Sequence, residues 1–595
     1  MSDTNYHLWC YVEGDETVFD LVFDVIASST ISISKLRQTI KEKRSNILQG
    51  IDAASLTLSK VNVDLDAVED EIMRREYQPD AHDQKPLQAK IMSPISDIWP
   101  EPPPDDRLHV FVGLPPPTAV LGKRIREVDD VLNSKIYTTS PSQMGKLQEY
   151  KSLQQDRDGR ILDDRPVPDS VPPASLLYDG FGHFMDIFRH RKDVYDLSLK
   201  RRNLELAVDN FAELMTVFYN NGDVRKMKGL FALNEILSLN GRNKLAAASI
   251  DSTPIHSDGH YNGSHDAVSC IVEFKNELVD ISSMPLVELT GYVAHSHAQS
   301  MARHEELYMG WRVPCLGMTI VGPYVRFYAL IFLRRLRVVS LTPALSCIAS
   351  AGEGDDRKAL YAAFSGALDL LRRIDEDAKT FLRKPPKIKH LDYSFPYISA
   401  LPKFDGSNEK LHFRILRLHP DVQSYRLLYI AETLDDEQIL VILKFTPRYS
   451  IALHAFCAER GHAPVIHGFQ TLPGGWFVIA MDYISPISSP VQLSRSPHLT
   501  RLLDKWTDDL QKLMQSFHDE GLVHGDLREP NILCDGEKMM LIDFDWGGQV
   551  GKACYPRARL CHDLMEGRDG TSPQITKGDD RRVLRNTLEE LKNIQ

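Results

Sequence analysis

Three side chains near the end of the chain have the types and spacing of a phosphoryl-transfer site. In HGDLREPNIL (524–533), Asn531 follows Asp526 by five residues, and LIDFDW (541–546) adds Asp543. Phosphoryl transfer needs little covalent chemistry from a protein, but it needs a carboxylate beside the acceptor hydroxyl and ligands for Mg2+. Mg2+ prefers a few carboxylate or amide oxygens, with phosphates and water completing its shell. The pattern therefore predicts Asp526 as the catalytic carboxylate and Asn531 and Asp543 as metal ligands.

A lysine in an apolar strand supplies the positive charge that nucleotide phosphates need. Lys444 lies in ILVILKF (439–445), whose apolar neighbours indicate a buried strand. An unpaired buried ammonium would be costly, so a phosphate or carboxylate partner is expected. The stretch GGWFVIAMDYI (474–484) is typical of a strand that ends in a hinge, and Met481 within it is the predicted contact of the nucleotide.

An amphipathic helix is predicted over 501–521, directly before the catalytic loop, with Gly521 at its end. Its apolar stripe consists of Leu503, Trp506, Leu510, Leu513, Met514 and Phe517. This order of motifs resembles the protein kinase-like superfamily. RYSIALHAFCAERGHAP and DFDWGGQVGKACYP resemble the fungal-type kinases that accompany Crinkler-type N-terminal domains. The resemblance implies a bilobal kinase-like domain over 400–595 that uses ATP and Mg2+ on protein Ser or Thr. The hydroxyl of a small molecule is an alternative acceptor, since H-G-D also occurs in small-molecule phosphotransferases.

The kinase pattern has departures on its nucleotide side. Gly525 replaces the arginine of H-R-D, and the hairpin before Lys444, residues 417–438, contains no glycine. Ala452 stands where the glutamate partner of the strand lysine is expected, and Glu459 is the candidate substitute. A catalytically degenerate binding effector therefore remains an alternative.

A second constellation lies in SDGHYNGSHDAVSCIVEFKNEL (257–278). Glu273 and Lys275 share one face of a predicted strand, and Asp258 lies on the neighbouring strand. Two carboxylates and a lysine can hold a divalent cation and orient an attacking water. The set resembles the PD-(D/E)xK nuclease superfamily, and the context resembles the nuclease-like domain found ahead of fungal-type kinases. The resemblance implies Asp258, Glu273 and Lys275 as catalytic residues, with the two carboxylates as metal ligands.

The nuclease pattern also has departures. Gly222, with Asp223 beside it, stands where an acidic residue is expected in the first helix pair. Glu288 closes the stretch that often reads D-P-x-x-Q. The net charge of -12 gives no basic footprint for a phosphate backbone, which usually needs several Lys or Arg. A metal-dependent nuclease that acts on DNA through the middle domain is the alternative function.

The first block reads strand, helix, strand, strand. LWCYVEG alternates apolar residues, SISKLRQTIKEK has helical spacing with Ser32 as N-cap, and LTLSKVNVDL and LHVFVG add strands. This order looks like a ubiquitin-like fold and resembles the Crinkler N-terminal domain. The translocation motif LxLFLAK is not present as such. The block carries no catalytic constellation, so the expectation is a module that binds another protein.

Length and composition fit several globular domains, since 595 residues exceed one core. The eight cysteines form no CxxC pair, which argues against zinc sites and disulfide frameworks. No secretory signal or membrane span is predicted, so synthesis in the cytosol is expected. The Crinkler resemblance implies secretion and action in a host or competing cell.

The predicted architecture is multidomain α+β. It combines a ubiquitin-like β-grasp domain at the N-terminus (1–114), a charged linker (115–175), a restriction-endonuclease-like α/β middle domain (176–382) and a kinase-like domain (400–595). The leading predicted function is ATP- and Mg2+-dependent phosphoryl transfer.

Overall fold

The computed structural model does not describe every part of the 595-residue chain. The described residues are 5–12, 22–44, 53, 56–64, 85–87, 93–104, 107–113, 139–155, 160–163, 172–190, 199–239, 244–250, 255–277, 283–332, 336–349, 355–385, 394–419, 426–435, 438–484, 490–556, 560–568 and 572–593. Most of the predicted linker, 115–175, lies outside them, as do residues 420–425 of the predicted nucleotide-covering hairpin.

In its described residues, the first block forms one mixed sheet and one α-helix. Its strands are β1 (Asn5–Val12), β2 (Val22–Ser28), β3 (Thr57–Asp64), β4 (Lys85–Pro86) and β5 (Arg107–Gly113), and its helix is α1 (Ile33–Lys43). The strand order is β2-β1-β5-β3-β4, and β1 pairs with β5 in parallel. Ser32 caps α1 by accepting a hydrogen bond from the Lys35 amide, as its sequence predicts. That this arrangement is a ubiquitin-like fold stays a prediction.

The middle block wraps helices around a six-stranded sheet. The strands are β6 (Gly259–Asn262), β7 (Val268–Lys275), β8 (Pro314–Val321), β9 (Tyr324–Phe332), β10 (Leu336–Ser340) and β11 (Leu345–Ser346). The helices are α2 (Pro141–Met144), α3 (Leu147–Gln155), α4 (Ala174–Leu177), α5 (Asp179–His190), α6 (Leu199–Thr216), α7 (Gly222–Ser238), α8 (Pro285–Arg303), α9 (Glu305–Gly310) and α10 (Asp355–Arg383).

The sheet of this block has the order β10-β9-β8-β7-β6, with β11 paired to β9. Strands β7 and β8 run parallel in its interior, which suits their nearly unbroken apolar sequences. The apolar sequences of β8 and β9 thus lie in buried strands. No helix in the described ranges is both long and apolar enough to cross a membrane.

The last block begins with a second six-stranded sheet and one helix. The strands are β12 (Ala400–Pro402), β13 (Lys410–Leu418), β14 (Leu428–Thr433), β15 (Leu440–Thr446), β16 (Ile466–Leu472) and β17 (Trp476–Asp482), and the helix is α11 (Ile451–Glu459). The order β12-β13-β14-β15-β17-β16 places β15, which carries Lys444, between two partners.

A mainly helical part follows. It contains α12 (Leu499–Asp519), α13 (His562–Met565), α14 (Lys577–Asn593) and the short strands β18 (Val491–Gln492), β19 (Leu522–Val523), β20 (Ile532–Asp535), β21 (Lys538–Leu541) and β22 (Gly548–Gln549). The predicted apolar stripe of α12 is buried in the core of this part. Gly521 follows the helix with φ +73°, a left-handed conformation that glycine adopts without strain.

The middle block packs against the second sheet. Leu176 of α4 is fully buried in the hydrophobic core of the second sheet, together with residues such as Phe413 and Val441. The Tyr397 amide donates to the Leu176 carbonyl at 2.8 Å. Asp186 of α5 accepts a hydrogen bond from the amide of Gly474, in the β16–β17 turn, at 3.0 Å. The core of the second sheet therefore extends beyond the segment 400–595.

Candidate active site

The loop that carries Asp526 begins directly after the short strand β19. Its second residue is a glycine whose backbone conformation other residues rarely adopt. Gly525 has φ +85°. A Cβ built there would lie 2.8 Å from Cδ1 of Ile575. The arginine of H-R-D would therefore be strained and crowded at this position, which gives the H-G-D variant a physical reason.

The loop is anchored by a carboxylate that sequence reasoning missed. Asp580 of α14 accepts hydrogen bonds from the amides of His524 and Gly525 at 2.9 and 2.7 Å, and from Nε2 of His518 at 3.0 Å. The Tyr555 hydroxyl donates to the Gly525 carbonyl at 2.7 Å. The backbone before Asp526 is thus fixed from two sides, although Asp580 follows Asp526 by more than fifty residues.

Asp526 itself is buried and held by a neighbouring arginine. Arg528 Nε lies 2.6 Å from Oδ1 of Asp526, and its Nη2 lies 2.9 Å from Oδ2. The same guanidinium reaches Sγ of Cys561 at 2.9 Å. A bidentate pair of this kind fixes the plane of the carboxylate. The side-chain amide of Asn531 donates to the Asp526 carbonyl at 3.1 Å, which leaves its oxygen as the atom that can meet a cation.

Lys444 and Asp543, predicted from separate motifs, are in direct contact. Lys444 Nζ lies 2.5 Å from Oδ1 of Asp543 and 2.6 Å from Oδ1 of Asp545. Asp543 has φ +63°, an uncommon conformation for a residue other than glycine. Strained backbone of this kind clusters at functional sites. The site therefore holds one ammonium between two carboxylates.

The two carboxylates differ in their pKa directions. Burial raises the pKa of Asp545 to about 6, against the opposing charge of Lys444. Burial also acts to raise the pKa of Asp543, but the charge and hydrogen bond of Lys444 outweigh it and lower that pKa. The pKa of Lys444 is raised, because the two carboxylates outweigh the effect of burial. Asp543 is therefore the more firmly ionised of the two carboxylates.

Three aromatic rings join the catalytic loop to α11. The His454 ring stacks on Phe544 with centroids 4.6 Å apart, and the His524 ring lies 5.3 Å from Phe544. The Ser450 amide, at the start of α11, donates to the Phe544 carbonyl at 3.0 Å. The segment that carries Asp543 and Asp545 is thus fixed to the helix and to the loop of Asp526.

The nucleotide side of the site differs from the sequence expectation at one residue. Glu459, the candidate partner of Lys444, lies exposed at the last position of α11, while Lys444 contacts Asp543 and Asp545. The expectation for Glu459 was wrong because α11 begins only after Ser450 and carries its one acid at the far end. Met481 lies near the end of β17 and is half-buried, where the predicted hinge begins.

An unpredicted arginine reaches the phosphate side. Nη1 of Arg426, just before β14, lies 3.7 Å from Oδ2 of Asp543. Arg426 and Lys444 thus place two positive charges beside Asp543. The oxygen donors of Asn531 and Asp543 are of the type that Mg2+ prefers, so the residues fit Mg2+ with a nucleotide. No group of three or more His, Cys, Asp or Glu side chains in the described ranges is arranged to hold a metal ion.

The middle block brings its predicted residues together. Lys275 Nζ lies 3.1 Å from Oε1 of Glu273 and 3.1 Å from Oε1 of Glu288. Asp258 Oδ2 accepts a hydrogen bond from the Phe274 amide at 2.9 Å, on the strand that carries Glu273. Burial, the charge of Asp258 and a hydrogen bond with Glu288 raise the pKa of Glu273 to about 9.

A lysine that the sequence did not single out also enters this cluster. Lys226 Nζ of α7 lies 2.6 Å from Oδ1 of Asp258. Both oxygens of Asp258 are therefore engaged, and a divalent cation would have to displace Lys226. The residues in this arrangement fit two ammonium groups better than a metal ion.

Two stretches match known families. Residues 6–113 match the Crinkler effector protein N-terminal domain, and residues 477–559 match the RIO domain. The first match confirms the Crinkler resemblance of the first block, and the second covers Met481, Asp526, Asn531 and Asp543. Residues 6–113 are therefore similar to a Crinkler N-terminal domain, and residues 477–559 are similar to a RIO domain. The resemblance to fungal-type kinases stays a prediction.

Among curated proteins, none matches this chain. The kinase PK-1 of Cydia pomonella granulovirus is similar at 16% identity over 31% of this chain and 71% of that one, with a TM-score of 0.25. The yeast RNA Pol II CTD kinase CTDK-1 complex is similar at 17% identity over 28% of this chain and 59% of that one, with a TM-score of 0.21.

Proposed function

We propose that this chain, a Crinkler N-terminal domain ahead of a kinase-like domain, transfers the terminal phosphoryl group of ATP to a protein Ser or Thr hydroxyl. One observation carries the proposal. Lys444 and Asp543 are in direct contact, and Asp526 and Asn531 are held in the adjoining loop. These are the residue types that phosphoryl transfer requires, gathered from sequence positions almost a hundred residues apart.

Each residue then has a role. Asp526, oriented by Arg528, accepts the proton of the acceptor hydroxyl. Asn531 and Asp543 would hold Mg2+, which would neutralise charge on the nucleotide phosphates. Lys444 binds the α- and β-phosphates, and Met481 contacts the base.

The acceptor and the site of action belong to the same proposal. Asp526 is paired with Arg528, which also contacts the half-buried Cys561 and lies 3.7 Å from the exposed Asp563, so an extended protein segment can approach from this side. The Crinkler N-terminal domain serves as a protein-binding module that brings the acceptor. The similarity of residues 6–113 to the Crinkler effector protein N-terminal domain supports release and action in a host or competing cell.

The test uses the full chain, because Leu176 and Tyr397 contribute to the core of the second sheet. The chain is incubated with γ-labelled ATP, Mg2+ and one of two acceptor sets. The first is a mixture of proteins, and the second is a panel of small alcohols, namely aminoglycosides and sugar alcohols. Label on Ser or Thr of protein, absent with Asp543→Asn, supports the proposal. Label confined to the small alcohols would contradict the proposal that the acceptor is a protein, but it would still support phosphotransferase activity.

A metal-dependent nuclease at Asp258, Glu273 and Lys275 is the alternative, and the ion pair of Lys226 with Asp258 counts against it. Its test is cleavage of plasmid DNA with Mg2+ or Mn2+. Cleavage that Lys275→Ala abolishes and Asp526→Asn preserves would support a second active site. If neither DNA cleavage nor phosphoryl transfer occurs, the chain acts as a binding-only effector.

A further inference from the structure

We propose that Asp545 is the positioning residue for Lys444, in place of the helix glutamate that pairs with the strand lysine of protein kinases. The proposal rests on the proposed function, because it assigns a partner to the lysine of that site. It gives the second acid of the Asp-Phe-Asp motif a role that differs from the role of Asp543.

The contacts of Asp545 support a fixed position. Its Oδ1 lies 2.6 Å from Lys444 Nζ, and its Oδ2 accepts a hydrogen bond from Oγ1 of Thr446 at 3.2 Å. Lys444 and Thr446 are both on β15, so one carboxylate is joined to this strand twice. The Lys444 side chain is 15% exposed and that of Asp545 is 28% exposed. An ammonium so well buried needs a permanent counter-ion.

Helix α11 offers no carboxylate for this purpose. His454 is the residue of α11 that stacks on Phe544. One turn before it stands Ser450, whose side chain caps the helix by accepting from the Leu453 amide. The one acid of α11 is Glu459, at its last position and exposed. A counter-ion for Lys444 therefore has to come from another element.

Two carboxylates at Lys444 allow two separate duties. Asp543 has to bind a cation during the reaction, and a carboxylate that binds a cation holds the nearby ammonium less firmly. Asp545 then remains with Lys444 and keeps it beside the phosphates. The hydrogen bond from the Ser450 amide to the Phe544 carbonyl fixes the backbone between the two acids.

The first test compares four full-length proteins: the unaltered chain, Asp545→Asn, Asp545→Glu and Glu459→Gln. Their kcat and KM for ATP, their calorimetric affinity for ATP with Mg2+, and their unfolding temperatures are measured. Asp545→Asn is expected to lose about tenfold or more in kcat/KM, because the buried Lys444 ammonium loses one of its ion-pair partners. Asp545→Glu recovers most of that loss, and Glu459→Gln stays within about twofold of the unaltered chain.

The outcomes separate this proposal from the proposed function. Turnover by the unaltered chain, with Asp545→Asn and Glu459→Gln both unimpaired, overturns the role of Asp545 alone. Absence of turnover in the unaltered chain overturns the proposed function, and the calorimetric affinities still decide the role of Asp545. Absence of both binding and turnover overturns both.

A double-mutant cycle with Lys444→Ala distinguishes positioning from metal binding. If Asp545 acts through Lys444, then Asp545→Asn changes the Mn2+ and ATP affinity of Lys444→Ala by less than about twofold. A further full loss of Mn2+ affinity in the double variant would make Asp545 a metal ligand and overturn the proposal.

Discussion

The carboxylate of Asp580 accepts a hydrogen bond from the backbone amide of His524 at 2.9 Å. Asp580 is fully buried, and it binds the Gly525 amide and the His518 ring as well. One side chain of the last helix therefore fixes both the helix that leads into the catalytic loop and the backbone that precedes Asp526.

Replacement of Asp580 by Ala leaves two amides and an imidazole without this partner. The free energy of unfolding of the kinase-like domain should fall by about 3 kcal/mol, because buried donors lose their acceptor. Urea unfolding followed at pH 7 measures the change. Glu589→Gln, exposed on the same helix, is the matched control and should leave the transition in place. Equal midpoints for the two variants would contradict the anchoring role.

Replacement of Leu176 by Ala tests the shared core of the middle block and the second sheet. A fully buried leucine replaced by Ala costs about 3 kcal/mol or more where the cavity stays open. Native-state hydrogen exchange of the β14 and β15 amides should therefore become faster. Leu147→Ala, at a side chain of which 72% is exposed, serves as the control. Unchanged protection in the Leu176 variant would show that the two blocks are independent.

His454 makes the stability of the kinase-like domain depend on pH. Its Nε2 donates to the Pro464 carbonyl at 2.8 Å, its Nδ1 accepts from the Tyr449 hydroxyl at 2.7 Å, and burial lowers its pKa to about 4. The unfolded chain binds this proton more tightly, so stability falls as pH drops from about 6.5 towards 4. The loss approaches about 3 kcal/mol.

The measurement is the pH dependence of unfolding for the unaltered chain, His454→Gln and the exposed-site control His498→Gln. The slope between pH 6.5 and 4 should decrease in the first variant and persist in the second. The same slope in all three proteins would exclude His454 as its source.

Arg426 should contribute to nucleotide affinity. It belongs to the glycine-free hairpin, and its Nη1 lies 3.7 Å from Oδ2 of Asp543. Arg426→Ala should raise KM for ATP roughly fivefold with little change in kcat, since an exposed charge pair contributes up to about 1 kcal/mol. Arg495→Ala, an exposed arginine outside the site, should leave KM unchanged. A lowered kcat at constant KM would place Arg426 in the chemical step instead.

The residues that sequence reasoning brought together are those with local signals. Asp526 and Asn531 belong to one loop, Asp543 follows within a dozen residues, and Lys444 is marked by its apolar strand. The amphipathic stripe of α12 and the cap of α1 were predictable for the same reason, since periodicity and capping act within a few turns. The Crinkler N-terminal domain was predictable from its order of strands and helix, and its family match confirms it.

The partners of those residues depend on contacts that have no local signal. Asp545 was visible in LIDFDW, but its contact with Thr446 joins residues 99 positions apart. Asp580 looks like an ordinary helix acid until its burial is known. Lys226, on a helix before the middle sheet, forms an ion pair with Asp258 and so competes with the metal ion that the sequence predicted there. Side-chain pairing between elements far apart in the chain is set by packing, and spacing along the chain does not encode it.

Asp526 and Asp543 are the two side chains on which the proposed phosphotransferase activity depends most. Their test is the initial rate of ADP and phosphoprotein formation by the full chain with ATP and Mg2+, beside Asp526→Asn, Asp543→Asn and the exposed-site control Asp535→Asn. We predict steady transfer by the unaltered chain and the control, and a loss of at least about a hundredfold in the two site variants. Equal rates in all four proteins, or none in the unaltered chain, would contradict this activity.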